Sequence, residues 1–561
     1  MNTMNLLNKK YEYHFILLMF FFLIIWFKLF SISNLASPDY YKYFYISEHL
    51  FSGHLDLRNI PPLFPLLLGL SGRFLSIISG ISDPFIVGTK IISLISSIGV
   101  ITINFLFIKK LFNTIPAFLA SVLLVSSPFF LKFAATPITD MLFLFLVCYS
   151  FYFMFLNKKR GSILLVLTAI MTRFEGVLLI GSYFINFIDL KIKKRINFLI
   201  YSLLSLAALT LFYLKFGMRF VKKIEYIISS GSYLNFIKHP ERVYSLLMKN
   251  ILFFYRGDIF GFKGGIIFLS LSALFLFGIK TLFRLNRKFT WALIFYMVVF
   301  TISKGYISGV GNVFNPESQA RRMLSLIYLF WFVSMIGFLK LLEKLKKIKS
   351  EKNRLLISSV MFIGIILIVI SLPLPDKKII FLSVVLILLL IVIGSVRGRG
   401  FLQIKKIFSI TIVFLLLLSI YDYGFNKTYN YVGSLPNRGA FVISQWADAN
   451  LEAGEKLAVY STIPMVKYYI KKDILMVKPY TKIEDIYRKR NLLASYIAKK
   501  IKINKIKYIA TDVYMNMIDN PWLVAVKLMF FKSARRGSNI FKLHKRLFYK
   551  GLPVAVILKL K

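Results

Sequence analysis

Apolar residues in this chain come in long uninterrupted runs. A surface helix would instead show them every third or fourth position. The runs are His14–Phe30, Ile60–Ser79, Phe85–Ile108, Ile115–Ala135, Met141–Leu156, Gly161–Leu190, Phe198–Phe216, Gly264–Phe283, Phe289–Ser303, Met323–Leu342, Leu355–Leu372, Ile379–Val396 and Ile407–Tyr423. Most are long enough for an α-helix to cross the hydrocarbon of a bilayer, which takes about 20 residues. The pattern predicts a polytopic α-helical membrane protein with about 13 transmembrane helices. Two runs are irregular. Ile60–Ser79 opens on Pro61, Pro62 and Pro65 and is of marginal length, and Gly161–Leu190 is interrupted by Thr172-Arg-Phe-Glu175.

After Asn426 the pattern changes. No further run is long enough to span. Short apolar patches in KLAVYS, KYIATDV and PVAVILKLK read as strands, and RGAFVISQWADANLEAGE reads as a helix followed by a turn. The expected organisation is a transmembrane domain over residues 1–425, with a functional first outer loop over 34–60, and a small α/β domain over 426–561.

Composition agrees with the class. The chain has 561 residues, 57% of them hydrophobic and 17% aromatic. It carries 73 Lys and Arg against 24 Asp and Glu, a net charge of +49. On a soluble protein that excess would suggest nucleic acid. Here the basic residues sit mostly in short stretches between apolar runs, as cytoplasmic retention of Lys and Arg requires. No nucleic-acid partner is expected. The single cysteine, Cys148, lies within an apolar run, so neither an internal disulfide nor a cysteine metal site can form.

Charge also orients the runs. Lys9-Lys10, Lys109-Lys110, Asn157-Lys-Lys-Arg160 and Lys191-Ile-Lys-Lys-Arg195 should be cytoplasmic. The N-terminus is then cytoplasmic, and the loop before Asn59 and the TPITD segment face outward. Both ends of Gly161–Leu190 fall inside, which two short segments meeting near Arg173 and Glu175 would satisfy. Ile60–Ser79 must enter and leave on one side or lie along the surface. By parity the domain after Asn426 is extracytoplasmic, where its basic surface could rest on anionic membrane lipids.

Candidate chemistry gathers in the first outer loop, SPDYYKYFYISEHLFSGHLDLRNIPPLFPLLLGL. Asp39 stands at its start, just beyond the first run. Asp140 opens a later run on the same side. Arg173-x-Glu175 at membrane depth should line a polar cavity or pair internally. Arg321 and Arg322 open another run, where a guanidinium fork could hold phosphate oxygens, and Arg256 lies in an outer loop. Plainer readings exist. Asp39 and Asp140 can each cap a helix, Arg173 and Glu175 can be a structural ion pair, Arg321 and Arg322 can reach headgroups, and Tyr40 can belong to an interfacial aromatic belt. His49, His54 and Asp56 lack the spacing of a metal site. No metal and no organic cofactor is expected.

Several of these motifs, in this order, resemble the glycosyltransferase C superfamily. They are Asp39-Tyr40 after the first run, IPPLFPLLLGL, TPITDMLFLFLVCYSFYF, TRFEGVLLI and ARRMLSLIYLF. The nearest resemblance is to the protein O-mannosyltransferase and aminoarabinose transferase families and their prokaryotic relatives. The loop has Asp39-Tyr40 where the mannosyltransferases have Asp-Glu, which argues against protein mannosylation. The resemblance implies a GT-C-like fold and a polyprenyl- or dolichyl-phosphate-linked sugar donor. It also implies an extracytoplasmic acceptor that is protein, lipid or glycan. On this reading Asp39 and Asp140 are catalytic, and Tyr40, Arg173, Glu175, Arg256, Arg321 and Arg322 bind substrate. One displacement by the activated acceptor inverts the sugar carbon. The competing classes are a lipid-linked-sugar flippase or transporter, which lacks an inverted repeat here, and an assembly protein, which needs no paired acids.

Overall fold

The computed structural model describes helical positions 15, 16, 18, 19, 22–24 and 26, and then 40–51, 60–78, 84–125, 127–135 and 138–187. It further describes 261–308, 323–346, 439, 441–452, 455–460, 474–476, 506–512, 541–549 and 552–560. Four of the apolar runs, Phe198–Phe216, Leu355–Leu372, Ile379–Val396 and Ile407–Tyr423, lie outside the described residues.

Eleven helices of the apolar part are described: α1 (Tyr40–Phe51), α2 (Leu63–Ser76), α3 (Pro84–Leu111), α4 (Thr114–Val125), α5 (Pro128–Ala135), α6 (Asp140–Phe155), α7 (Lys159–Thr172), α8 (Leu178–Phe187), α9 (Gly261–Leu285), α10 (Arg287–Ser308) and α11 (Leu324–Lys346). A 3₁₀ turn, Phe174–Val177, separates α7 from α8. Among the described residues, α3 and the Leu324–Leu341 part of α11 are long and apolar enough to cross a membrane. At 14 residues, α2 is only about 21 Å long, too short to span upright.

The expected run Ile115–Ala135 is two helices, not one. Pro128 cannot donate an N–H to a preceding turn. Ser127 Oγ accepts the Phe130 N–H at 3.3 Å, so the serine caps a new helix with proline at its first position. Asn286 does the same for α10, its Oδ1 accepting the Phe289 N–H at 3.1 Å.

The helices pack around one apolar cluster that runs from the first helical segment to α11. Trp26 Nε1 donates to the Ala134 carbonyl at 2.9 Å and fixes that first segment against α5. Phe107 is a centre of ring contacts, meeting Phe155 at 4.6 Å and Phe332 at 5.0 Å. One buried polar chain crosses the bundle. Asn104 Nδ2 donates to Ser121 Oγ at 3.0 Å, and Tyr328 OH donates to Asn104 Oδ1 at 3.3 Å, joining α3, α4 and α11. In an apolar surrounding each such group needs its partner.

The C-terminal part is a helix over 441–450, α12, on a five-stranded mixed sheet. The strands are β1 (Leu457–Tyr460), β2 (Ile474–Met476), β3 (Tyr508–Asp512), β4 (Phe541–Tyr549) and β5 (Leu552–Leu560), in the order β2-β1-β3-β5-β4. Strand β1 runs parallel to β2 and β3, while β5 is antiparallel to β3 and β4. The three sequence-predicted strands are β1, β3 and β5. The other two were not legible as apolar patches. Three residues make a weak signal in β2. In β4, FKLHKRLFY, cations interrupt the apolar alternation and a bulge near Leu543 shifts the register. Lysine and arginine on such an edge strand discourage pairing with another chain.

The sheet domain does not hang free. Val442, Ile443 and Trp446 of α12 share a buried cluster with Leu68 of α2, Ile86 of α3 and Ala555 and Ile557 of β5. Phe44 and Phe85 pack against it, edge to face at 5.1 Å. The mixed sheet therefore sits at the end of the bundle where α3 begins.

Candidate active site

The site is built where α6 begins and α7 ends. Arg173 has extended backbone, φ −151° and ψ 145°, so α7 stops and its side chain leaves the helix surface. The chain then turns through the 3₁₀ segment, with the Gly176 N–H donating to the Arg173 carbonyl at 3.0 Å. A Cβ on Gly176 would lie 2.5 Å from Ile170 N and 2.6 Å from Ala169 C. Those are backbone atoms of α7 and cannot rotate away, so only glycine allows the close return. The returning arm lies beside the outgoing one. Tyr183 OH donates to the Lys159 carbonyl at 3.3 Å, and Asn186 Nδ2 donates to the Met154 carbonyl at 3.2 Å. Both ends of the broken segment thus lie together, with Arg173 and Glu175 at the tip. The 14 residues of α7 raise that tip about 21 Å above the Lys159 end.

At the tip Arg173 joins two acids. Its Nη1 donates to Asp140 Oδ1. Its Nε and Nη2 donate to Glu175 Oε2 and Oε1, both at 3.3 Å, a bidentate fork. Its guanidinium also lies over the Phe143 ring at 5.7 Å. The Asp140 side chain is 2% exposed, that of Arg173 16% and that of Glu175 18%. The sequence brings Asp140 and Arg173 together although 33 positions separate them. Asp140 is the first residue of α6. Thr139 is its N-cap and makes no side-chain cap bond. Asp140 thus sits in a first helical turn, where a carboxylate suits the dipole, and also holds Arg173.

Two tyrosines border the cluster. Tyr43 of α1 pairs its hydroxyl with Thr139 Oγ1 at 3.4 Å and packs on Phe64 at 5.0 Å. That contact ties α1 to the start of α6, next to Asp140. Tyr296 of α10 pairs with Ser325 Oγ at 3.1 Å and meets the Phe151 ring at 5.5 Å. Ser325 lies in the first turn of α11, so this bond brings the start of that helix toward the tip.

Of the sequence-predicted residues, Asp140, Arg173 and Glu175 come together. Tyr40 is the first residue of α1. Asp39, Arg256, Arg321 and Arg322 lie outside the described residues. Chain continuity still bears on two of these positions: Asp39 immediately precedes α1, and Arg322 immediately precedes Met323, which is 1% exposed.

Sequence reasoning missed Lys90. It lies in the second turn of α3 and is 2% exposed. It had a visible signal, being the only charged residue between Asp83 and Lys109. A lone cation within an apolar run marks a function by default. Tyr43 was also missed as a site residue, because its neighbours Tyr40, Tyr41 and Tyr45 make it look like one of a belt. Among the described residues no cluster of His, Cys, Asp and Glu could hold a metal ion.

No family model matches the chain, and no curated protein matches it in sequence. Solved structures do match. ArnT from Cupriavidus metallidurans, in the apo state, aligns with a TM-score of 0.54 and 13% identity over 97% of each chain. ArnT from the same organism bound to undecaprenyl phosphate aligns with the same figures. The archaeal oligosaccharyltransferase AglB from Archaeoglobus fulgidus, in complex with an inhibitory peptide and a dolichol-phosphate, aligns at 0.48 with 12% identity over 91% of this chain and 70% of that chain. That second likeness is too loose to bear on the fold. The chain has the fold of ArnT, mostly helical with a small C-terminal mixed sheet, over nearly its whole length.

Proposed function

We propose that the protein is an integral membrane glycosyltransferase that moves a sugar from a lipid-phosphate donor to an extracytoplasmic acceptor. The observation that carries this reading is the contact between Tyr43 and Thr139. It holds the start of α1 beside the start of α6. Asp39 is the residue before α1 in the sequence. On this reading two carboxylates from distant parts of the sequence, Asp39 and Asp140, serve one site at that end of the bundle. The ArnT fold supports the donor class, since one of the matched ArnT structures holds undecaprenyl phosphate.

The chemistry needs a base for the acceptor hydroxyl and cations for the departing phosphate. Asp140 Oδ1 is already engaged by Arg173. The role of base therefore falls to Asp39, with Asp140, Arg173 and Glu175 fixing the geometry around it. Arg321 and Arg322, just before α11, and Lys90, buried near the start of α3, are the groups that receive the phosphate. Tyr40 and Arg256 remain substrate-binding candidates beside them. A single in-line displacement inverts the anomeric carbon. Residues 1–425 form the membrane domain and 426–561 the extracytoplasmic one.

The test uses membranes holding the full chain and a radiolabelled polyprenyl-phosphate sugar. Label transferred to an acceptor supports the enzyme. Intact sugar lipid moved across the bilayer without transfer supports a flippase and overturns this reading. Arg321→Ala, Arg322→Ala and Lys90→Gln should each weaken donor use, seen as a raised donor KM. Unchanged KM in all three would place the phosphate elsewhere.

A further inference from the structure

A second charged feature lies at the opposite end of the bundle. A cavity of about 200 Å³ opens between the last turns of α3, α9 and α11. Lys280 and Arg284 of α9 and Lys340 and Lys344 of α11 line it, together with apolar walls that include Phe112 and Phe277. Helix α3 is 28 residues long, about 42 Å, and its two ends separate this cavity from the Lys90 end. It is not part of the candidate active site.

The cations are held there by the packing of α9 on α11. The two helices run in the same direction and touch at glycines. A Cβ on Gly278 would sit 2.0 Å from the Val333 carbonyl oxygen, and one on Gly337 would sit 1.9 Å from that of Leu274. Ser334 Oγ donates to the Leu271 carbonyl at 3.1 Å across the same contact. Backbone contact this close leaves the two last turns side by side. On each helix the two cations are four residues apart and share a face. Like charges at that spacing repel. Among the described residues one carboxylate relieves them, Glu343, which pairs with Lys340 at 2.7 Å. Lys344 lies over the Phe277 ring at 4.9 Å. Cytoplasmic retention and the helix dipole account for cations at this end. Neither accounts for four of them converging on one cavity.

We infer that this cavity binds the phosphate of an anionic phospholipid from the leaflet facing the basic end. The volume suits a headgroup phosphate but not a whole lipid. The apolar walls would meet the first methylenes of its chains. The source is the bilayer, because the same helix exposes apolar side chains beside the cavity: Leu276 is 67% exposed and Leu285 56%. Basic pockets between membrane helices on the cytoplasmic side commonly take such headgroups.

The experiment is thermal unfolding of the full chain in uncharged detergent, titrated with phosphatidylglycerol, phosphatidylcholine or inorganic phosphate. Phosphatidylglycerol should raise Tm saturably and the other two should not. Each lost lysine contact should weaken the apparent affinity about fivefold, so Lys280→Gln with Lys344→Gln should lose more than tenfold. Lys288→Gln, which removes an exposed cation near the same end but outside the cavity lining, should leave the affinity unchanged. Equal stabilisation by inorganic phosphate would overturn the lipid assignment. So would full affinity in the double variant or an equal loss in Lys288→Gln.

Discussion

Arg173 stands between two carboxylates, and that decides what each can do. Removing the guanidinium takes away the cation that pairs with both Asp140, at 2% exposure, and Glu175. Breaking a buried ion pair from one side costs about 3–5 kcal/mol. Arg173→Ala should therefore lower the thermal midpoint sharply and abolish transfer. Arg173→Lys keeps the charge but cannot make the fork to Glu175 and the bond to Asp140 together. It should restore most of the stability and little of the turnover. Equal recovery of both would make the trio a structural clasp alone. Tyr43→Phe is milder. It loses one hydroxyl contact to Thr139, about 1 kcal/mol in stability, yet it frees the start of α1. Its turnover should drop by more than its stability does, measured as kcat against Tm.

At the scale of elements, the broken segment and the glycine contacts do the positioning. Gly337→Ala puts a methyl 1.9 Å from the Leu274 carbonyl oxygen, against backbone that no rotamer change can move. Overpacking of this kind costs about 1–3 kcal/mol, and α11 would shift with Ser325 and the Arg321-Arg322 pair at its start. A lower Tm with a raised donor KM is the expected result, measured on purified protein. These elements were unequally legible in the sequence. The interruption at Thr172-Arg-Phe-Glu175 and the basic clusters on both sides of it were enough to predict two arms meeting at Arg173. The split at Pro128 was missed because hydrophobicity is continuous across it and only Ser127-Pro128 marks the cap. The Asp140–Arg173 contact was not legible as a pair, since nothing local couples positions 33 apart. Substrate binding and a mutual ion pair were both open readings of Arg173 and Glu175, and the pair is observed; what the sequence hid is that Arg173 also binds Asp140. Lys90 was legible by charge alone and was passed over among apolar neighbours.

At the scale of the whole molecule, the sheet domain, the start of α1 and the acid cluster share one end of the bundle, and the basic cavity occupies the other. Retention of Lys and Arg on the inside predicts that the first end is extracytoplasmic. A tag at Lys561 should then react with an impermeant reagent in intact cells. Reaction only after permeabilisation would invert the molecule and put the acids on the wrong side for an extracytoplasmic acceptor. The shared end also gives the C-terminal domain a task beyond anchoring, because Trp446 and Ile443 pack against Leu68 and Ile86, on the helices that flank α1. Trp446→Ala should loosen that contact, at about 3–5 kcal/mol for a buried tryptophan, and reduce transfer without touching substrate. In the proposed reaction Asp39 takes the acceptor's proton. Asp39→Asn keeps size and most hydrogen bonding and removes the base. General-base catalysis contributes about 10²–10⁴-fold. The direct measurement is the turnover of Asp39→Asn with a lipid-phosphate sugar, at matched protein levels in the membrane. A loss of at least about 10²-fold is expected, with donor KM nearly unchanged. Turnover equal to the parent in a folded Asp39→Asn protein would contradict it.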